Sequence, residues 1–186
     1  ADRRLAEVQS ELQKALASDE NDADVHRILA AVHISQNDLT RARHHQERAL
    51  SLNPNYDLVV VQMGELLTWL GRPAEGVDWI RKAMRLNPHH PARFWSHLGR
   101  AHFTAAQYHE ALAAFMNLSV MDVPQHAFVA ASHGCLGDRT AGEAHVARLR
   151  QLDPQFSVGG FLETMHYANP SDRQRLRDGL LKAGAQ

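Results

Sequence analysis

Small and large apolar residues recur along the chain at helical spacing, and the same arrangement returns about every 34 residues. One set of small residues comprises Ala30, Gly64, Gly99 and Ala130, and a second set comprises Ala42, Gly76, Ala111 and Gly142. Large residues precede the first set (Leu29, Met63, Leu98, Val129) or follow the second by one helical turn (Ile80, Phe115, Val146). This pattern predicts pairs of helices that approach closely at their small residues.

The residues between these helices are typical of helix ends. The string Ala-Leu-Ser-Leu-Asn-Pro at 49–54 returns as Ala-Met-Arg-Leu-Asn-Pro at 83–88 and, more loosely, as Leu-Arg-Gln-Leu-Asp-Pro at 149–154. All seven prolines can lie at helix ends, which is where proline is tolerated. Asp38 and Asp138 are predicted to cap second helices. The strand-like run Leu-Val-Val-Val at 58–61 is predicted to begin a helix, because helical context overrides its strand propensity.

The repeat divides the 186 residues into about five and a half units. Complete units are predicted at 23–56, 57–91, 92–122 and 123–156, within one domain spanning 1–186. Residues 1–22 correspond only to a second helix, with an apolar stripe of Leu5, Val8, Leu12 and Ala15. We therefore expect a longer protein whose missing first helix lies upstream. Residues 157–186 are predicted to form a degenerate repeat and a cap, whose arginines give the polar outer face that a solenoid end requires.

The third unit carries a family signature. Trp95, Leu98, Gly99, Tyr108, Ala111 and Phe115 stand where tetratricopeptide repeats place their characteristic residues, and the chain resembles that family throughout the frame. The resemblance implies an all-α fold: an α-solenoid of helix-turn-helix repeats, wound as a right-handed superhelix with a concave groove, and closed by a C-terminal capping helix.

Composition narrows the classes of function. Twenty basic residues against 21 acidic ones give a formal charge of −1, which disfavours nucleic-acid partners, including those of an RNA-binding helical repeat. No apolar stretch is long enough to span a membrane and no signal segment opens the chain, so we predict a cytoplasmic protein without membrane contact. The single cysteine, Cys135, excludes an internal disulfide.

Thirteen histidines raise the alternative of a metal-binding or enzymatic protein. His33, His102 and His133 occupy the family's usual tyrosine position, and His26 and His126 occupy the place of Trp95, which are packing positions. The helical His-x-x-x-His spacing is absent, and the adjacent pairs His44-His45 and His89-His90 either diverge on a helix or lie in a loop. We predict structural roles, with no metal and no cofactor. The imidazoles could still make stability or binding sensitive to pH.

No catalytic residue is predicted. His133 and Cys135 stand two residues apart and point to different faces of a helix, and the Gly159-Gly160 pair lacks the preceding strand of a phosphate-binding loop. The chain is therefore predicted not to be an enzyme, although a catalytic domain could lie upstream.

The candidate site is the groove. In the family, first-helix residues on the concave side hold ligands; here these include Arg27, Glu65, Trp69, Arg93, Ser96, Arg100 and Phe103. Arg93, Ser96 and Arg100 share one helical stripe, which Phe103 extends. Arginine beside aromatic residues suits a peptide carboxylate or an acidic side chain. The alternative is that Glu65 and Arg100 pair with each other across the groove.

Two stretches of the sequence resemble a narrower group of repeat proteins. Residues 70–88 and 152–184 are similar to the C-terminal repeat tails of bacterial class III adenylate/guanylate cyclases and some winged-helix regulators. This resemblance implies a regulatory part of a larger signalling protein. The leading prediction is thus a non-enzymatic interaction or scaffold module that binds a protein or peptide, another domain of the parent chain, or a second copy in a homodimer.

Overall fold

The computed structural model describes the backbone of residues 2–186 and the side chains of residues 7, 8 and 10–186. This part of the chain forms helices and no strand. The helices are α1 (Asp2–Ser18), α2 (Ala23–Ser35), α3 (Leu39–Leu52), α4 (Asp57–Trp69), α5 (Pro73–Leu86), α6 (Arg93–Thr104), α7 (Tyr108–Phe115), α8 (Val123–Leu136), α9 (Arg139–Leu152), α10 (Val158–Glu163) and α11 (Pro170–Lys182).

The helices pack as successive pairs. Short turns join α2 to α3, α4 to α5, α6 to α7 and α8 to α9, and the partners of each pair are in contact. The first helices α2, α4, α6 and α8 also stack on one another and line one face, which we call the groove. The predicted all-α solenoid is confirmed.

Small residues lie where the helices of a pair approach most closely. A Cβ atom on Gly64 of α4 would come within 2.7 Å of the carbonyl oxygen of Gly76 in α5. In the next pair, a Cβ on Gly99 would lie 2.6 Å from the Phe115 ring. Real side chains essentially never approach this closely, so the first pair requires glycine for its backbone contact and the second requires it for the buried Phe115 ring.

The turn inside each pair uses the left-handed backbone region at one repeated position. The residues there, with their φ angles, are Asn37 (58°), Gly71 (78°), Ala106 (59°) and Gly137 (80°). Glycine and asparagine adopt this conformation at low cost, whereas alanine does not. The third repeat therefore carries backbone strain that its neighbours avoid.

The predicted helix ends are confirmed. The Asp38 side chain accepts a hydrogen bond from the backbone N–H of Arg41 at 3.0 Å, and Asp138 accepts one from Ala141 at 3.1 Å. Pro73 and Pro170 open α5 and α11, where their missing N–H groups cost nothing. The strand-like run 58–61 lies within α4.

The core runs along the stack between neighbouring pairs. Phe103, Phe115 and Phe128 are almost completely buried at its centre, between α6, α7 and α8. Side-chain amides also join successive repeats: Gln46 donates to the carbonyl of Val59 at 2.7 Å, and Gln62 donates to the carbonyl of Arg27 at 2.8 Å. These bonds fix how each pair sits on the one before it.

Helix α1 covers part of α2 and leaves much of its own apolar stripe uncovered. The Val8 side chain is 44% exposed, Ala15 is exposed and Leu12 is half-buried. The predicted stripe also included Leu5, whose side chain lies outside the described residues.

The C-terminal residues, which were predicted to form a degenerate repeat and a cap, fold back over earlier repeats. Asn169 lies beside Gly71 of the second repeat, Arg175 donates to the carbonyl of Thr104 at the end of α6, and Gly179 lies against Ala131 of α8. Residues 169–182 thus run across three successive repeats, and α11 itself packs mainly on α8.

Two glycines explain this position of α11. A Cβ on Gly134 would overlap the carbonyl oxygen of Gly179, so the backbones of α8 and α11 are in direct contact. Leu176 and Leu180 of α11 are fully buried against the stack, while Arg173 and Arg177 stay exposed. The cap therefore buries an apolar face and leaves these two arginines in solvent, whereas Arg175 turns inward to Asp172 and the carbonyl of Thr104.

Candidate functional site

Glu65 and Arg100 form an ion pair between neighbouring first helices. The Arg100 Nη1 atom lies 3.0 Å from Glu65 Oε1, and only 18% of the Arg100 side chain and 22% of the Glu65 side chain are exposed. The guanidinium carbon of Arg100 also lies 4.7 Å from the centre of the Trp69 ring, within range of a cation–π interaction. The alternative interpretation of the sequence, in which these two residues pair across the groove, describes the structure.

The ion pair sets the protonation of Glu65. Burial alone would raise the pKa of this carboxyl group, but its electrostatic interactions with His97 and Arg100 and a hydrogen bond from Arg100 outweigh burial and hold the pKa below its ordinary value. Glu65 is therefore a carboxylate at neutral pH, and it balances the charge of Arg100.

His97 completes the floor of the groove. Its Nδ1 atom lies 3.5 Å from Glu65 Oε1. Burial lowers the pKa of His97; Glu65 opposes this shift, and the charges of Arg100 and Arg93 add to it. The imidazole is thus neutral at physiological pH.

Residues 164–169, which we call the crossing segment, cover Trp69. The backbone N–H of Ala168 donates to the carbonyl of Trp69 at 2.9 Å, and the Tyr167 ring lies 4.8 Å from the Trp69 ring in a T-shaped arrangement. The Tyr167 hydroxyl also lies 3.1 Å from the hydroxyl of Thr104. Burial raises the pKa of Tyr167 to about 12. Trp69 is consequently only 2% exposed.

Two other predicted site residues lie inside the protein. Phe103 is fully buried, and its ring packs against that of Phe128 at 5.4 Å. Ser96 is 9% exposed, and its hydroxyl accepts a hydrogen bond from Gln125 at 3.3 Å. Because α8 stacks over this side of α6, Phe103 belongs to the core, and the prediction that it extends the arginine stripe on the surface is wrong.

The two remaining arginines of the predicted site differ in their partners. Arg27 pairs with Asp24 of its own helix at 2.6 Å, which neutralises its charge. Arg93 is exposed at the start of α6, two helical turns before Arg100. Its charge reaches the groove floor, since it contributes to the lowered pKa of His97.

A cavity of about 420 Å³ opens beside the ion pair. Its walls are Ala31, Ile34 and Ser35 of α2, Glu65 and Trp69 of α4, Arg100 of α6, Pro124 of α8, and Thr164, Met165 and His166 at the start of the crossing segment. The Arg100 Nε atom is buried without a hydrogen-bond partner among the described residues. The sequence could not indicate this cavity, because one wall is the crossing segment.

The histidines predicted to be packing residues lie inside helix pairs. His26 and His33 are 6% and 7% exposed, and His126 and His133 are half-buried at the corresponding places. His45 and His145, whose contact with these residues was not predicted, lie against them from the second helices. The described residues contain no group of three or more potential ligands that could hold a metal ion.

The thiol of Cys135 shows no sign of activation. Burial raises its pKa, and this effect exceeds the opposing influence of Tyr108 and nearby basic residues. The side chain lies against α11, where the thiol packs next to Gly179.

Comparisons with known proteins place this fold. Residues 27–56 match the family model of the tetratricopeptide repeat, and the chain matches no curated protein. The type IV pilus biogenesis factor PilW superposes with a TM-score of 0.75 at 17% identity, over 98% of this chain and 83% of that one.

Two further solved structures, both of TPR proteins, have a similar fold. YrrB, a TPR protein with an unusual peptide-binding site, gives a TM-score of 0.59 at 21% identity, over 92% of this chain and 90% of its own. A thermophilic TPR protein of Thermus thermophilus gives 0.66 at 16% identity, over 91% of this chain and 87% of its own. None of the helices described here is long and apolar enough to cross a membrane. The chain has the fold of a tetratricopeptide-repeat solenoid, and one of its repeats matches the family model.

Proposed function

We propose that the chain is a non-enzymatic protein-interaction module that holds an acidic segment of a partner protein in the cavity beside Glu65 and Arg100. The observation that carries this proposal is the open cavity on the groove, whose wall contains Arg100 with 18% of its side chain still exposed. The resemblance to tetratricopeptide repeats supports the class of function, because that family binds peptides and proteins on this face.

The cavity suits a short stretch of polypeptide. Ile34 and Met165 provide apolar contact on two sides, while Glu65 and Arg100 provide a polar floor. Buried apolar walls with a few fixed polar groups are typical of sites that both bind and select a ligand. YrrB shows that a solenoid of this fold can carry a peptide-binding site.

The local charge favours an acidic ligand. Glu65 balances one positive charge through its ion pair with Arg100, and exposed Arg93 adds a second positive charge near His97. A partner carboxylate can therefore accept a hydrogen bond from Arg100 while Arg93 attracts it from solvent.

The test uses a fluorescein-labelled acidic peptide of alternating Asp and Leu, and a neutral version with Asn in place of Asp. We expect the acidic peptide to bind at least about tenfold more tightly by fluorescence anisotropy, and to bind more weakly as salt increases. The variant Glu65→Arg/Arg100→Glu keeps an ion pair while it reverses the polarity, and with Arg93→Ala it is expected to abolish the preference.

The matched control is Arg43→Ala/Arg139→Ala, which removes two exposed arginines from second helices. It keeps the preference for the acidic peptide if the site is the cavity. Equal binding of the two peptides, or a preference that survives the change at 65, 93 and 100, would overturn the proposal.

The cellular setting is part of the proposal and rests on sequence resemblance alone. We infer a cytoplasmic, C-terminal regulatory part of a larger bacterial signalling protein, from the similarity of residues 70–88 and 152–184 to cyclase-associated repeat tails. The partner segment would then belong to another protein or to another domain of the parent chain. Self-association through the uncovered stripe on α1 is the competing mode, and light scattering of the chain tests it directly.

A further inference from the structure

Two groups of three histidines occupy equivalent places in the outer repeats. We call His26, His33 and His45 the first triad, and His126, His133 and His145 the second triad. Each member of the second triad stands 100 residues after its counterpart. Both triads lie between the first and second helix of their repeat.

The two triads have nearly the same geometry. The Nδ1 atoms of His26 and His45 are 3.0 Å apart, and those of His126 and His145 are 2.9 Å apart. The third ring stacks on the second-helix histidine in both cases, at 5.5 Å for His33 and His45 and at 5.9 Å for His133 and His145.

A hydrogen bond between two imidazole nitrogens needs a single proton between them. In the first triad, His26 Nε2 lies 3.1 Å from the carbonyl oxygen of Glu20, so Nε2 must donate. Neutral His26 therefore accepts at Nδ1, and His45 donates its Nδ1 proton. When both rings are cationic, both Nδ1 atoms carry hydrogen, the bond is lost, and two positive charges face each other in a half-buried site.

The surroundings of the first triad do little to stabilise a cation. Burial has the largest effect on His45, followed by the charges of His26, His33 and His44, and together they lower the pKa of His45 to about 4. The carboxylates of this repeat already lie beside arginines: Asp24 pairs with Arg27 at 2.6 Å, and Asp38 lies 3.5 Å from Arg41.

The second triad has more acidic surroundings. Burial lowers the pKa of His145, and the charges of His126 and His133 add to the effect. At His126, burial and Arg148 lower the pKa while Asp122 opposes them. Asp138 lies 3.3 Å from His133 Nδ1 and can stabilise a cation there.

We propose that the two triads make the outer repeats acid-labile, with repeat 23–56 loosening before repeat 123–156 as the pH falls below neutrality. Since α2 of the first repeat forms one wall of the cavity, acidification would release a bound partner segment. This consequence rests on the proposed function, whereas the acid lability does not.

The direction of the pH effect follows from proton linkage. The unfolded chain has an ordinary histidine pKa near 6.5, and the folded chain has a lower value at His45, so the unfolded state binds more protons between the two values. The contribution of His45 to stability is fully present above pH 6.5 or so. It is lost as the pH falls from there toward about 4.

The test is unfolding of the full chain without any ligand between pH 7.5 and 4.5. The key variant, His26→Val/His33→Leu/His45→Trp, copies the residues that the second repeat carries at the same positions, Val60, Leu67 and Trp79. The wild-type melting temperature is expected to fall by about 5 °C more than that of the variant between pH 7.5 and 5. A control, His89→Gln/His109→Gln, removes two exposed histidines outside both triads and keeps the wild-type dependence.

A milder variant and a direct measurement keep the test decisive if the triple variant does not fold. His45→Gln retains hydrogen bonding without a titrating group and is expected to flatten the pH dependence. NMR titration should show the His45 ring still neutral at pH 5.5. A His45 that titrates near 6.5, or a pH dependence that His45→Gln leaves unchanged, would overturn the acid lability. Loss of peptide binding at pH 7.5 in an intact chain would instead count against the proposed function.

Discussion

The outer and inner repeats fill the same positions with different chemistry. In the outer repeats, 23–56 and 123–156, three imidazoles join the two helices. In the inner repeats, 57–91 and 92–122, the corresponding residues are Val60, Leu67 and Trp79, and then Trp95, His102 and Ala114. Both solutions support the same helix pair. These positions therefore need a side chain that fills the space between the two helices, and that side chain can be either apolar or an imidazole.

The inner repeats are also built more closely. They carry Gly64 and Gly99 where the outer repeats carry Ala30 and Ala130, and a Cβ on Gly64 would meet the carbonyl of Gly76. The inner repeats share the Glu65–Arg100 ion pair as well. We therefore expect the stability of the inner repeats to depend on close packing and one ion pair. The stability of the outer repeats should instead depend on the protonation state of their histidines.

The largest expected effect breaks the close packing of an inner repeat. Gly64→Ala should lower the free energy of unfolding by about 3 kcal/mol, because the new methyl group would overlap the backbone oxygen at 2.7 Å and no side-chain movement can relieve it. The reverse change in an outer repeat, Ala30→Gly, should cost only about 1 kcal/mol in helix propensity and lost contact. Urea denaturation of both variants measures the difference. Equal losses would mean that the inner and outer pairs pack alike.

A smaller effect is expected at the ion pair between the inner repeats. Arg100→Met should cost about 2 kcal/mol, because the Glu65 carboxylate is left largely buried without its partner. Glu65→Gln/Arg100→Met should recover most of that loss, which the thermal unfolding of the single and double variants would show. Arg72→Ala, which removes an exposed ion pair with Glu75, serves as the control and should leave unfolding unchanged. If the double variant is no more stable than Arg100→Met, the side chains of Glu65 and Arg100 do not depend on each other for stability.

The smallest effect concerns the turns. Ala106→Gly should stabilise the third repeat by about 1 kcal/mol, because glycine adopts the positive φ of this turn without the clash that alanine suffers. Gly137→Ala makes the opposite change in an outer repeat. The space beside Gly137 is open, so any loss of stability in this variant comes from backbone strain alone. Melting temperatures should move in opposite directions. A shift of the same sign in both variants would contradict the strain at Ala106.

The sequence predicts whatever the repeat itself encodes. Helix positions, the caps at Asp38 and Asp138, and the packing role of His26 and His33 all follow from residues that recur in register. The pairing of Glu65 with Arg100 could be weighed as an alternative because the two residues hold equivalent positions in adjacent repeats.

The remaining features depend on contacts that no repeat unit specifies. The crossing segment hides Trp69 through Tyr167, and these two residues are far apart in the sequence. Phe103 is buried because α8 of the next repeat packs against it through Phe128. His45 and His145 could have been found from the sequence, since the spacing of each triad repeats residue for residue.

The return of α11 changes the folding topology of the solenoid. In an open stack of repeats each unit touches only its neighbours, so units can form and fray one by one from either end. Here Arg175 bonds to the end of α6 and Asn169 lies beside Gly71, so the crossing segment and α11 together close a long loop around repeats two to four. Closing that loop raises the contact order, which slows folding. It should also make these three repeats fold as one cooperative unit, with α1 and the first repeat as the segment free to fray.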